Sequence, residues 1–260
     1  SYTGTVMTVE DFLLTYQYPN ADYTLGDTMD ALVEHPEHSP LYYLLARFWM
    51  QMMPPSVTAI RFLSVIFGLL ALPCLYWLML ELFGSSLVAW GGVALMAISP
   101  FHVLYAQEAR EYSLWTLTIL LSSAVCLWAM GIQKRRAWFT YGVTTALGLY
   151  VHPFSGLVTI SHGLYVVIME GLKPTQRVLS YLAATALGLL LFSPWLYVVI
   201  TRFDLFVGNT ASVNADRSGS LPLFWLLNLS RVFLDLNQGP SAINPAHYLL
   251  ALLAIAALIY

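Results

Sequence analysis

Long apolar runs recur along this chain with almost no charge inside them, and that repetition limits its fold more than any other feature. Runs of about 17–25 apolar residues are long enough to cross a bilayer as helices. Seven lie near residues 57–82, 87–105, 113–131, 137–151, 154–169, 178–200 and 246–260. In hydrocarbon a spanning segment must satisfy its own backbone hydrogen bonds, which leaves helices or closed barrels. Runs this long are too extended for barrel strands, so the expected fold is an all-α, polytopic transmembrane helical bundle. The fourth and fifth runs are short and meet at His152-Pro153, where a single broken or re-entrant pair is the alternative. Breaks are expected at Gly84-Ser85-Ser86, at Ser99-Pro100, between Gly171 and Pro174, and at Ser193-Pro194.

Composition closes off the other classes. Of 260 residues 58% are apolar and 10% charged, whereas an ordinary soluble domain has about 25% charged. Disorder needs low hydrophobicity and high net charge. Nucleic-acid binding needs a basic patch or stripe, and 11 Lys and Arg against 14 Asp and Glu leave a net charge of −3. The 8 Trp, 16 Tyr and 13 Phe suit a membrane–water interface. Cys74 and Cys126 each sit inside an apolar run and read as small core residues.

The chain starts Ser1-Tyr2-Thr3 without a basic stretch leading into an apolar one, so no signal peptide is expected in it. It stops at Tyr260, inside an apolar run of about 14 residues where a span needs roughly 20. It therefore reads as a fragment of a longer membrane protein, with at least one span before Ser1.

Short basic loops orient the bundle. Lys134-Arg135-Arg136 and the Lys173/Arg177 pair are two spans apart and so face one side, the cytoplasm under the positive-inside rule. All acids except Glu81 and Glu170 then fall on the other side or at its membrane edge, with five of the six histidines. Residues 1–56 become an extracytoplasmic loop, 57–200 a bundle of about six spans, 201–245 a second outer loop, and 246–260 a truncated span. The localisation expected is the plasma (inner) membrane, with chemistry gathered on the extracytoplasmic face. A transporter would instead place ionisable groups near mid-depth, facing a cavity.

Four outer-face features stand out. His35-Pro36-Glu37-His38-Ser39-Pro40 leads into Leu41-Tyr42-Tyr43 and an interfacial helix over about 40–53. Ser39 suits its N-cap and Pro40 its first position, with Arg47 and Gln51 toward headgroups or water. A plain loop-to-helix junction is the simpler reading of this stretch, with His35 and His38 as metal or phosphate ligands the alternative. Next, Ser99-Pro100-Phe101-His102 and Tyr105-Ala106-Gln107-Glu108-Ala109-Arg110-Glu111-Tyr112-Ser113 wedge polar groups between two spans, an expensive arrangement near lipid. On a continuous helix Glu108, Glu111, Tyr112 and Trp115 share one face, while Gln107, Arg110 and Leu114 share another. Glu108 and Arg110 can serve one ligand only if the helix starts between them or the site wraps its end. The competing reading is an ion-paired helix cap at headgroup level. Third, Tyr150-Val151-His152-Pro153-Phe154 puts His152 at an outer turn, either as a structural residue or as a ligand for phosphate or a divalent metal. Fourth, Asn228, Arg231 and Asp235 make a polar stripe on a second amphipathic helix.

These residues, with Ala59-Ile60-Arg61-Phe62-Leu63-Ser64, Tyr150-Val151-His152 and Pro194-Trp195, resemble a known family. It is the bacterial polytopic glycosyltransferases of the GT-C class, related to protein O-mannosyltransferases and to the aminoarabinose transferase of lipid A. The glutamate–arginine–tyrosine motif after Ser-Pro is the most specific part. The resemblance implies inverting hexosyl or pentosyl transfer from a polyprenyl-phosphate-linked sugar to a lipid, glycan or protein acceptor, at the bilayer and without nucleic acid. It implies Glu108 and Arg110 as catalytic residues, and His38, Gln107, Glu111, Tyr112 and His152 as substrate-binding residues. The resemblance makes no cofactor certain and allows a divalent metal, since His38 and His152 match positions that in some relatives lie beside the donor phosphate or a bound metal. The family's general base, an Asp-Glu pair close after the first span, would lie upstream of Ser1; Glu10-Asp11 sits too deep in the loop to match it. A transporter or flippase of a lipid-linked sugar, or a non-catalytic membrane scaffold, is the alternative.

Overall fold

The computed structural model describes residues 23–215 and the isolated positions 8, 9, 249 and 252. Among these the chain is helical throughout, with no strand. The expected acidic pair Glu10-Asp11, the stripe Asn228/Arg231/Asp235 and the last apolar run lie outside the described residues, apart from positions 249 and 252 of that run.

Between residues 23 and 215 ten helices follow one another: α1 (Leu25–Glu34), α2 (Pro40–Met52), α3 (Val57–Phe83), α4 (Ser86–Ala97), α5 (Pro100–Ala106), α6 (Tyr112–Ile132), α7 (Arg135–Val151), α8 (Ser155–Met169), α9 (Gln176–Thr201) and α10 (Phe203–Ala215). Among the described residues α3, α6 and α9 are long and apolar enough to cross a membrane. The run at 87–105 is not one rod: α4 and α5 meet at a 62° bend. Ser99 caps α5 by accepting from the His102 N–H, and Pro100 takes its first turn. The runs at 137–151 and 154–169 are separate helices of 17 and 15 residues, the first at the short end of the spanning range and the second below it. Part of the expected outer loop is also helical, as α10 begins directly after Arg202.

Ser193-Pro194 does not break the chain, contrary to expectation; α9 runs through it. Proline removes the N–H that would bond the carbonyl four residues back. That carbonyl belongs to Leu190, and the Ser193 hydroxyl donates to it at 2.7 Å. A neighbouring hydroxyl thus refills the acceptor, which is how intramembrane prolines are tolerated.

In lipid, apolar contact alone does not drive helices together, so close approach through small residues matters. Here α7 and α9 cross at Gly142 and Gly188. A Cβ on Gly142 would stand 2.7 Å from the Ala184 carbonyl oxygen, and one on Gly188 2.9 Å from that of Gly142. Around this seam α6 packs on α3 and α7. Val125, Cys126, Ala129, Trp138, Tyr141 and Tyr181 fill the end near Lys134. Large apolar side chains point outward, among them Leu69, Leu87, Trp90, Ile160, Leu190 and Ile200, the inverse of a water-soluble surface.

The opposite end holds the short helices. Buried Tyr42 packs with Leu63, Leu114 and Val151, and its hydroxyl is 3.1 Å from Ser64 Oγ. Ser39 stands at the N-cap of α2 without capping it. Its hydroxyl donates instead to the Leu149 carbonyl at 3.0 Å, pinning α2 to the end of α7. Arg47 is partly exposed, and its guanidinium donates to Thr28 Oγ1 at 2.8 Å and to the Tyr23 carbonyl at 2.6 Å, tying α2 to α1 and the residue before it. Gln51 is exposed.

Candidate active site

Helix α6 starts at Tyr112, after Glu108 and Arg110, so residues 107–111 are a non-helical turn at its N-terminal end. The Arg110 N–H donates to the Glu108 carbonyl at 2.8 Å, and the Ser113 hydroxyl donates to the Tyr105 carbonyl at 2.8 Å, closing the turn. This meets the condition under which the two side chains can serve one ligand. Both line an open cleft of about 590 Å³, together with Tyr105, Tyr112 and, from the start of α3, Val57, Ile60 and Arg61.

The ion-paired cap does not form. Among the described residues neither Glu108 nor Arg110 has an oppositely charged partner within 4 Å; the pairs present are His35–Glu37, His38–Glu37 and Arg177–Glu170. Glu111 holds the N-cap position but makes no side-chain cap bond. Arg110 is kept charged above its ordinary range, first by the Tyr112 hydroxyl, then by Glu111 and Tyr43. Two guanidinium groups and one carboxylate line the cleft, a balance that favours an anionic group such as a phosphate.

The other site candidates divide around this turn. Gln107 is exposed and its backbone N–H closes α5 by donating to the Leu104 carbonyl at 3.0 Å. Tyr112 lies in the cleft, with its ring 4.8 Å from that of Tyr105. Glu111 turns the other way and is buried, 7% exposed. It accepts from the Tyr43 hydroxyl at 3.4 Å, and that hydroxyl is 3.2 Å from His38 Nδ1. His152 lies against the same cluster, near enough to Glu111 and His38 to sense both charges. Its ring stacks on Trp115 with centroids 4.2 Å apart. The Trp115 indole N–H donates to Ser155 Oγ at 3.0 Å, and Ser155 in turn donates to the Gly148 carbonyl at 2.8 Å.

Glu37 belongs to a third contact. Burial raises its pKa, but hydrogen bonds from Asn209, its own backbone and His35 outweigh that and hold the carboxyl below its ordinary range. Asn209 of α10 donates to Glu37 Oε2 at 3.0 Å, fastening α10 to the loop that carries His38. Among the described residues no three His, Cys, Asp or Glu gather as a metal would require, so His38 and His152 lack a ligand set there.

Sequence reasoning missed Tyr43 and Trp115 as members of the polar cluster. Successive helical residues point about 100° apart, so with Tyr42 in the core Tyr43 had to face elsewhere. Trp115 was visible as the residue four after Glu111 on one face. Mid-bundle His162 is satisfied internally, 3.0 Å from Ser123 Oγ and 3.1 Å from the Tyr141 hydroxyl.

No curated protein and no solved structure matches the chain. Residues 35–198, more than half of it, match the family described as dolichyl-phosphate-mannose-protein mannosyltransferase. That stretch runs from the His35–His38 loop through the cleft and His152 to α9. An all-helical bundle with membrane-length apolar helices and this match together place the chain in that family, the GT-C-type membrane glycosyltransferases.

Proposed function

We propose that this glycosyltransferase moves a sugar from a polyprenyl-phosphate donor to a hydroxyl-bearing acceptor on the extracytoplasmic face of the plasma membrane. The observation that carries the reading is the shared cleft of Glu108, Arg110 and Arg61 at the bundle end opposite the basic loops. The donor's tail stays in hydrocarbon while its sugar phosphate emerges beside the α5–α6 turn. The acceptor oxygen bonds to the sugar's C1, and the bond from C1 to the phosphate oxygen breaks with its electron pair on the phosphate. A single displacement of this kind inverts C1. Arg110 holds the leaving phosphate bidentately, and the proton of the incoming hydroxyl goes to a carboxylate, a role open to Glu108 in this cleft beside the acidic pair that the resemblance places upstream of Ser1.

Support comes from the family, from the turn that presents both side chains to one space, and from the absence of an ion pair consuming either among the described residues. The test is sugar transfer by the full-length protein in proteoliposomes containing polyprenyl-phosphate mannose. Glu108→Gln and Arg110→Ala each abolish transfer while membrane insertion persists. Full transfer by either variant removes that residue from the reaction, and passage of labelled lipid-linked sugar across the bilayer without a new glycosidic product replaces the reading with a flippase.

A further inference from the structure

A cavity of about 10 Å³ lies where α6, α7 and α8 meet, and its lining is rich in hydroxyl groups. That volume is the lower limit for holding one water molecule. Most of the hydroxyl protons around it are already committed. Thr118 and Ser122 on α6 donate to the Trp115 and Ile119 carbonyls at 2.8 and 3.1 Å. Thr144 on α7 donates to the Tyr141 carbonyl at 2.9 Å, and Thr159 on α8 to the Ser155 carbonyl at 3.0 Å. Each of these oxygens keeps a lone pair that can accept. A Cβ on Gly148 would stand 3.2 Å from Ser155 Oγ and 3.9 Å from Thr118 Oγ1, so this glycine keeps the space between them open.

Thr145 is the exception in the lining. It is 3% exposed, and its hydroxyl has no hydrogen-bond partner among the described residues. A Cβ on Gly188 would stand 3.0 Å from both Cβ and Cγ2 of Thr145, so the methyl branch, not the hydroxyl, fills the α7–α9 crossing. The Tyr141 hydroxyl, one turn earlier, is 3.1 Å from His162 Nδ1 instead. A buried hydroxyl without a partner is costly, and hydrocarbon around the bundle offers it none.

We propose that this cavity is a binding site for a single structural water that joins α6, α7 and α8. The water accepts the Thr145 hydroxyl proton and donates its own two protons to hydroxyl oxygens of the lining, Ser122 among them. A buried water needs two to four polar partners, and the lining supplies them. A sodium ion would meet the same oxygens but no carboxylate in the lining, and a charge buried without a partner is expensive. Helix α8 has only 15 residues, and polar bridges of this kind hold helices together where apolar contact does not. The site is separate from the outer cleft, since no residue lines both.

The test uses the full-length protein in liposomes with ¹³C-labelled threonine, the Thr145 and Thr185 signals assigned with Thr145→Ser and Thr185→Ser. In solid-state spectra, polarisation passed from water protons reaches Thr145. It does not reach Thr185, whose hydroxyl also lacks a partner among the described residues but which does not line the cavity. No transfer to Thr145, or equal transfer to both, would overturn the proposal. Thermal unfolding gives a second readout through its sign. Thr145→Val keeps the shape and removes the hydroxyl, so losing the water lowers the melting temperature. Ser122→Ala then costs less in the Thr145→Val background than alone, because both act through one molecule. A higher melting temperature for Thr145→Val means an unpaired hydroxyl was removed, and that result, or strictly additive losses, rejects the site. Replacing sodium chloride by choline chloride leaves the melting temperature unchanged; a drop that Thr145→Val abolishes would make the occupant a cation and reject water.

Discussion

His152 lies flat on Trp115, ring centroids 4.2 Å apart, at the point where α7 ends and α8 begins. Burial lowers the His152 pKa from 6.5, Glu111 raises it in part, and His38 lowers it further. The folded protein thus binds the proton less tightly than the unfolded chain. Stability from this site is present above pH 6.5 and declines as pH falls through the unfolded value toward the folded one. The melting temperature of the detergent-solubilised protein should fall between pH 8 and pH 5. His152→Gln, which cannot take the proton, should flatten that decline, and an unchanged slope in the variant would assign the acid sensitivity elsewhere.

The α7–α9 crossing leaves no room for a methyl group on Gly142, whose Cβ would stand 2.7 Å from the backbone oxygen of Ala184. Backbone cannot swing aside as a long side chain can. Gly142→Ala should therefore separate the helices and cost about 1–3 kcal/mol, the usual range for overpacking. Gly131 and Gly91 have nothing within 4 Å, so Gly131→Ala should cost none of this. Thermal unfolding of the two variants side by side distinguishes a crowded crossing from a general intolerance of alanine.

Ser193 and Pro194 should be coupled energetically. The Ser193 hydroxyl supplies the Leu190 carbonyl with the partner that Pro194 denies it. Ser193→Ala alone should destabilise α9 by about 0.6 kcal/mol, the average for an intramembrane hydrogen bond. In a Pro194→Ala background the backbone bond returns, and the same substitution should cost little. A double-mutant cycle on unfolding in detergent measures the difference; equal costs in both backgrounds would mean the serine serves some other acceptor.

Reading the chain as a helical membrane bundle required only the length of the apolar runs, because lipid leaves so few alternatives. Where those runs bend was less legible. Ser99-Pro100 and Ser193-Pro194 look alike as dipeptides, yet one marks a 62° bend and the other lies within an unbroken helix. What separates them is where the neighbouring hydroxyl goes: Ser99 Oγ accepts from an N–H of the next helix, whereas Ser193 Oγ donates backward into its own. The division of the outer motif was half legible. Spacing showed that Glu108 and Arg110 share no helical face, and only the start of α6 at Tyr112 shows how one cleft receives both. That Glu111 would turn from its cap toward Tyr43, 68 residues away in sequence, depends on α2 docking and could not be read from local pattern.

Arg110 and Arg61 line the same cleft from different helices, so their loss should be felt differently. Arg110 sits on the turn with Glu108, beside the proposed reacting bond, and its charge is held by Tyr112. Charge that develops on the leaving phosphate is stabilised there, so Arg110→Ala should reduce kcat by about 10²–10³-fold or more. Arg110→Lys keeps the charge but loses the two parallel donors, and should recover only part of that loss. Arg61, exposed at the start of α3, should act mainly on the bound donor, so Arg61→Ala should raise the donor KM with a smaller change in kcat. A removed interaction present equally in ground and transition states appears in KM alone, while one made in the transition state appears in kcat. Steady-state transfer from polyprenyl-phosphate mannose separates the two, and equal kcat losses at both positions would place both guanidinium groups on the phosphate as it leaves.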